Sequence, residues 1–221
     1  MRINKFVALA TGLSRRAADS AIVAQRVKVN EHTANLGTQV DSNSTVKFDG
    51  NVIQLPSQTT TIMLNKPVGY VSSRAGQGSR TIYDLLPARY HHLKPAGRLD
   101  KDSSGLLILT DDGNLANQLT HPRYAKTKMY VVLLDKILQP LHQQILNDHG
   151  VQLDDGLSKL LLTRLDHGGK SWQVTMQEGR NRQIRRTFAA LGYGVNKLHR
   201  MSFGTYKLGH LAEGKYRVIE T

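Results

Sequence analysis

No cysteine occurs among the 221 residues, which excludes disulfides and thiolate metal sites and suits a reducing compartment. Long apolar runs are also missing. Leu106–Leu109 and Leu160–Leu162 are among the longest, far short of the roughly 20 residues a membrane helix needs, so no membrane association is expected. The first 26 residues are rich in Arg and Ala but carry no small-residue cleavage site after an apolar core, so they do not read as a secretory signal, and a cytoplasmic protein is expected. Acidic residues are scarce: 17 Asp+Glu stand against 30 Lys+Arg, a net charge of +13, and a chain this basic ordinarily meets a polyanion, nucleic acid first. The nine histidines, His91 and His92 included, show no two-ligand helical spacing backed by a third ligand, so no metal is expected. Gly76-Gln77-Gly78 is too short a glycine signal for a phosphate loop.

What remains is enough for a packed core, 39% hydrophobic residues in a chain long enough for one or two domains. Ile3, Phe6, Val7 and Ala10 recur at helical spacing until Gly12. Ser14 is placed to cap a second helix with Ala17, Ala18, Ala21 and Ile22 on one face. Val27 and Val29, then Val46 and Phe48, alternate with polar residues as strands do. The first 40 residues hold six Lys/Arg against Asp19 and Glu31, and Lys5, Arg15 and Arg16 are candidates to face phosphates, where they would add affinity without reading sequence. Residues 49–61, with Asp49-Gly50-Asn51 and Pro56 to Thr61, read as a linker. Beyond it, strands are expected near 62–64, 106–110, 128–134, 159–165, 171–177 and 195–199, and helices near 81–86, 113–119, 138–148 and 181–191. The expected class is α+β: a mixed, mostly antiparallel sheet domain with flanking helices over 61–221, preceded by a small helix-turn-helix-plus-strands domain over 1–56.

The most specific stretch is Gly97-Arg98-Leu99-Asp100-Lys101-Asp102-Ser103-Ser104-Gly105, running into the apolar strand Leu106–Leu109 and closed by Asp111-Asp112-Gly113. Taken alone, Asp100 suits either a turn-capping aspartate or a reacting carboxylate at the mouth of a loop. The doublets Asp100/Asp102, Asp111/Asp112 and Asp154/Asp155 are weak candidates for a paired-carboxylate glycosidase, because each sits in turn-like sequence.

As a set, this loop resembles the catalytic loop of the pseudouridine synthases, which isomerise uridine in RNA to its C-glycoside. Ile62 to Ser72 resembles that family's opening strand with its Lys-Pro turn, and Lys128-Met129-Tyr130-Val131-Val132 its tyrosine strand. Glu178 to Arg186, followed by Phe188 and Leu191-Gly192-Tyr193, resembles its arginine helix, and Val195 to Gly204 its closing strand. The N-terminal segment, with Ser14-Arg15-Arg16-Ala17-Ala18, resembles the alpha-L RNA-binding module, although Gln25-Arg26 stand where that module often has a glycine before its Val-x-Val strand. Domain order and motif variants look like the RsuA/RluB branch, whose substrates are ribosomal RNAs. Ser103 stands where threonine is common and keeps the hydroxyl.

The resemblance implies a role for each matching residue. Asp100 would be the nucleophile, in a dry pocket, and Arg185 would pair with it through a guanidinium that never loses its charge. Tyr130 would stack on the target uracil and assist proton transfer at C5. Arg98 would fill the space of the flipped base, and Leu198 would line the pocket, unless it is a plain core residue. Arg180, Arg182 and Arg186 surround Arg185 as candidate phosphate contacts. No cofactor is implied, because the reaction is an isomerisation without redox change. The implied partner is ribosomal RNA, free or in an assembling subunit, met by a monomer. The rival class is an RNA-binding ribosome-assembly factor with little or no catalytic role.

Overall fold

The computed structural model describes residues 1–56 and 58–219, so Ser57 of the expected linker, and Glu220 and Thr221 at the end of the expected second domain, lie outside it. The chain divides into two compact units, Met1–Thr59 and Thr60–Thr221. None of the described helices is long and apolar enough to cross a membrane.

In the first unit, α1 (Ile3–Thr11) buries Ile3, Phe6 and Val7 and stops at Gly12, whose φ of 77° lets its N–H reach Ala8 O. α2 (Arg15–Val23) starts at Ser14, whose side chain accepts the Ala17 N–H at 3.0 Å, the cap read from sequence. Its buried Ala18, Ala21 and Ile22 face inward. A small antiparallel sheet follows, β1 (Val27–Val29), β2 (His32–Thr33), β3 (Val46–Phe48) and β4 (Asn51–Ile53), in the order β2-β1-β3-β4. The expected linker therefore begins too early at 49. Asp49 (φ 51°) and Gly50 (φ 82°) form a two-residue turn that folds Asn51–Ile53 back onto Val46–Phe48, the geometry Asp-Gly favours between strands. Gln25 takes φ 57°, so the left-handed turn that a glycine would make easily is kept without one.

The second unit is built on β5 (Thr61–Lys66), β6 (Lys94–Ala96), β7 (Ser104–Thr110), β8 (Lys128–Leu134), β11 (Leu161–Arg164), β12 (Ser171–Met176), β13 (Val195–Phe203), β14 (Tyr206–Lys207) and β15 (Tyr216–Ile219). The sheet runs β11-β12-β8-β13-β7-β5-β15, with β6 also on β7 and β14 on β13. A separate hairpin, β9 (Val151–Leu153) with β10 (Gly156–Ser158), lies outside it. All pairs in the large sheet are antiparallel except β7 with β13, which run parallel at Ser104 and His199.

Every residue of β7 is buried because both faces are covered. Leu107 and Leu109 join one core with Ile184 and Phe188 of α5 (Gln183–Ala190), while Leu106 and Ile108 join a second with Leu119 of α3 (Gly113–Thr120). This two-sided burial explains the unbroken apolar run.

Several expected elements change. The helix near 81–86 is a single 3-10 turn over Ile82–Leu85, and the one near 138–148 is α4 (Pro140–Gln144) continued by a π turn, Ile145–His149. Val195–Phe203 is not the closing strand. It sits mid-sheet, and the last strand is β15, paired with β5.

Candidate active site

Residues 97–103 connect β6 to β7, and their neighbours hold this loop through its backbone. Ser72 Oγ donates to Leu99 O at 2.8 Å and accepts the Leu99 N–H at 3.1 Å, and the Gly69 N–H donates to Lys101 O at 2.7 Å. Beneath the loop, the fully buried Lys66 donates from Nζ to Pro67 O at 2.9 Å and Ser103 O at 2.7 Å. Burial pushes the Lys66 ammonium down to about 8, against the pull of Asp100 and Asp102.

A cavity of about 700 Å³ opens beside the loop and is lined by Arg98, Asp100, Tyr130, Arg182, Leu198 and Arg200, among others. Tyr130 and Leu198 are both 7% exposed. They come from adjacent antiparallel strands, β8 and β13, and the sheet thus presents a ring and an aliphatic wall to one space. Arg98 is exposed at the rim.

Two expectations about the carboxylate differ from the geometry. Asp100 is not sealed away, since its side chain is 36% exposed. Nor is Arg185 its partner. Arg185 donates from Nη1 to Val195 O at 2.7 Å and from Nη2 to Asp102 O at 2.8 Å, and its Nε lies 3.3 Å from the Asp102 carboxylate. The cation near Asp100 is Arg182, with Nη1 at 3.6 Å. Arg182 itself is held by Asp102 through two parallel bonds of 3.1 and 2.9 Å. The reason is local: Asp102, two residues past Asp100, is the carboxylate turned toward the start of α5, and Arg182 meets it from a left-handed backbone, φ 45°. Arg182's bond holds the Asp102 carboxyl below its ordinary range.

The remaining arginines divide in the same way. Arg180 gives Nη1 to Asp155 Oδ1 at 2.8 Å and to the carbonyls of Asp155 and Gly156, and Nη2 to Leu157 O at 2.8 Å. Arg186 gives Nη2 to Asp155 Oδ2 at 2.6 Å. Both fasten the β9–β10 hairpin to the start of α5, so these donors are engaged within the protein in this geometry. In the first unit Lys5 is half-buried on α1, while Arg15 and Arg16 are exposed at the start of α2 and Arg15 reaches Asn4 Oδ1 at 3.2 Å.

Sequence reasoning missed Lys66, Lys128, Arg200 and the part played by Asp102. Lys128 Nζ donates to the carbonyls of Lys126, Gln177 and Glu178 at 3.3, 2.9 and 3.1 Å, which straps the turn before α5 to β8. Burial, helped by Arg200, lowers Lys128 to about 8. For Lys66 and Lys128 the available signal was a basic residue at the end of an otherwise apolar or alternating strand.

Comparison with known proteins gives the site its context. Residues 60–190 match a family model described as RNA pseudouridylate synthase, and residues 1–46 match one described as the S4 domain. An uncharacterized RNA pseudouridine synthase of Aquifex aeolicus is 37% identical over 227 residues, covering 99% of this chain and 90% of its own length. Ribosomal small subunit pseudouridine synthase A of Yersinia pestis is 36% identical over 226 residues, covering 100% of this chain and 95% of its own length. Ribosomal large subunit pseudouridine synthase B of Bacillus subtilis is 34% identical over 225 residues, covering 99% and 91%. A crystal structure of a pseudouridylate synthase superposes with a TM-score of 0.72 at 32% identity, covering 100% of this chain and 96% of that one.

Proposed function

This chain belongs to the RNA pseudouridylate synthase family, and on that premise we propose that it isomerises a specific uridine of ribosomal RNA with Asp100 as nucleophile and no cofactor. The observation that carries the reading is the meeting of Asp100, Tyr130 and Leu198 in one cavity beside Arg182.

In the reaction the N1–C1′ bond breaks, the uracil turns, and a C5–C1′ bond forms while the C5 proton is replaced by one on N1. No atom is gained or lost, so the chain need supply only positioning, a carboxylate and proton transfer. Asp100, partly open to the cavity, attacks or deprotonates the ribose. Tyr130 offers the aromatic face that offsets the stacking lost when the base leaves its helix. Arg185 acts through Asp102, which it and Arg182 hold in place. Arg98 takes the gap left in the RNA. Residues 1–56 form the RNA-binding domain, where Lys5, Arg15 and Arg16 meet phosphates, and residues 61–221 form the catalytic domain. The protein works as a cytoplasmic monomer on ribosomal RNA or an assembling subunit.

Pseudouridine is mapped in the host's ribosomal RNAs with and without this gene, and tritium release is measured from RNA labelled at uracil C5. Wild type should release tritium, and Asp100→Ala should fall by at least roughly 10⁴-fold while binding RNA within several-fold of wild type. Release by Asp100→Ala would overturn the nucleophile. An unchanged map together with no release by wild type on any ribosomal RNA or subunit would favour the assembly-factor reading.

A further inference from the structure

Arg200 is a buried charge without a counterion among the described residues. It stands on β13 directly opposite Tyr130 of β8, so the two side chains leave the sheet on the same face, with Leu198 two residues away. The residue is 2% exposed. Its Nε donates to Leu106 O at 2.7 Å and its guanidinium carbon lies 4.9 Å from the centre of the Phe203 ring. Nη2 is buried and has no acceptor. No salt bridge among the described residues involves Arg200. Lys128 shares the Phe203 ring at 5.2 Å, yet its donors are taken by three carbonyls, as described above.

Buried donors in folded proteins are nearly always satisfied, and an unpaired buried charge is costly. Arg200 lines the same cavity as Asp100 and Tyr130, so an acceptor that the described residues lack can arrive with the substrate. We propose that the Arg200 guanidinium donates to a carbonyl oxygen of the target uracil and thereby recognises the base. The inference rests on the reading of this chain as a uridine isomerase. A base carbonyl suits the position better than a phosphate, because the neighbouring walls are the Tyr130 ring and Leu198, which match a flat base rather than a solvated anion. The contact also strengthens during the reaction. When N1–C1′ breaks, the electron pair stays with the uracil and is shared with its carbonyl oxygens, where a fixed cation stabilises it.

The test uses RNA fragments spanning the mapped uridine, synthesised with uridine, 2-thiouridine or 4-thiouridine at the target, since sulfur accepts hydrogen bonds poorly. Wild type should lose roughly tenfold in kcat/KM on one of the two thio substrates, the loss expected for a charge-assisted bond. Arg200→Met should be slower on uridine and should treat all three substrates within about twofold. The comparison is a ratio within one enzyme, so an inactive fraction cancels; Arg200→Leu, which likewise has no donor, serves the same comparison if Arg200→Met fails to fold. The proposal is overturned if wild type treats the three substrates alike or if Arg200→Met keeps the wild-type preference. It is also overturned if Arg200→Met instead erases sensitivity to a neutral methylphosphonate beside the target, which would make the acceptor a phosphate. Absence of turnover by wild type on the uridine fragment and on every ribosomal RNA or subunit carrying that uridine would strike the proposed function itself.

Discussion

Asp102→Asn keeps the shape of the side chain that organises the arginines and removes its charge. Arg182 and Asp102 are 44% and 45% exposed, so after solvent screening their pair contributes at most about 1 kcal/mol. Arg185 is 13% exposed and its pair is better shielded, but it keeps the carbonyls of Asp102 and Val195, which limits its loss to about 1 kcal/mol as well. The expected destabilisation is thus roughly 1–2 kcal/mol, a fall of about 2–8 °C in the melting point of a unit this size. The pH dependence has a definite sign. The folded carboxyl titrates below the ordinary value of 3.8, so its contribution is present above that value and is lost as pH falls through the depressed one. Urea melts followed from about pH 7 down to about pH 3 should show the gap between wild type and Asp102→Asn closing only at the acid end. Turnover should fall too, because Arg182 Nη1, already 3.6 Å from Asp100, is freed to pair with it. Equal stability at neutral pH together with equal kcat would refute this account of the arginine network.

Tyr130→Phe should keep most RNA affinity and lose turnover, whereas Tyr130→Ala should also lose stacking worth about 1–3 kcal/mol; fluorescence titration and tritium release separate the two, and wild-type turnover by Tyr130→Ala would return the residue to the core. Replacing Lys5, Arg15 and Arg16 together by Ala should weaken RNA binding and reduce the slope of log affinity against log salt by up to about 3, and an unchanged slope would remove them from the RNA contact. Gln25→Gly relieves a left-handed backbone at φ 57°. Set against the extra freedom of glycine in the unfolded chain, it should stabilise the first unit by about 0.5 kcal/mol, a rise of roughly 2–4 °C on thermal melting.

The sequence was readable wherever a local rule governs. Ser14 caps α2 because a hydroxyl there finds a free N–H three residues on, and the apolar run in β7 marks a strand with a core on both faces. It misled where partners are distant or equivalent. Asn51–Ile53 reads as linker unless Asp49-Gly50 is weighted as a hairpin turn, and β15 finds its partner β5 only through the sheet. The motifs bring Asp100, Tyr130 and Leu198 to one cavity, but spacing could not say which of two carboxylates, Asp100 or Asp102, would meet Arg185. Arg200 was invisible for a related reason: a basic residue between His199 and Met201 looks solvated until the parallel contact with β7 buries it.

That parallel contact also bears on when the protein becomes active. It is tight because Gly105 faces Arg200 directly: a Cβ there would lie 2.4 Å from Arg200 O and 2.5 Å from Arg200 N. The loop bearing Asp100 is thus clamped by a strand made almost a hundred residues later, and Arg182 and Leu198 arrive with that same late stretch of chain. Contacts this remote in sequence form slowly and cannot form before their second half exists. During synthesis, a chain emerging with Asp100 already exposed has neither the floor of the cavity nor the cation beside the carboxylate. A protein made at the ribosome and proposed to act on ribosomal RNA therefore has no assembled catalytic cavity until translation has passed residue 200 and β13 has docked, whatever RNA its first unit already holds.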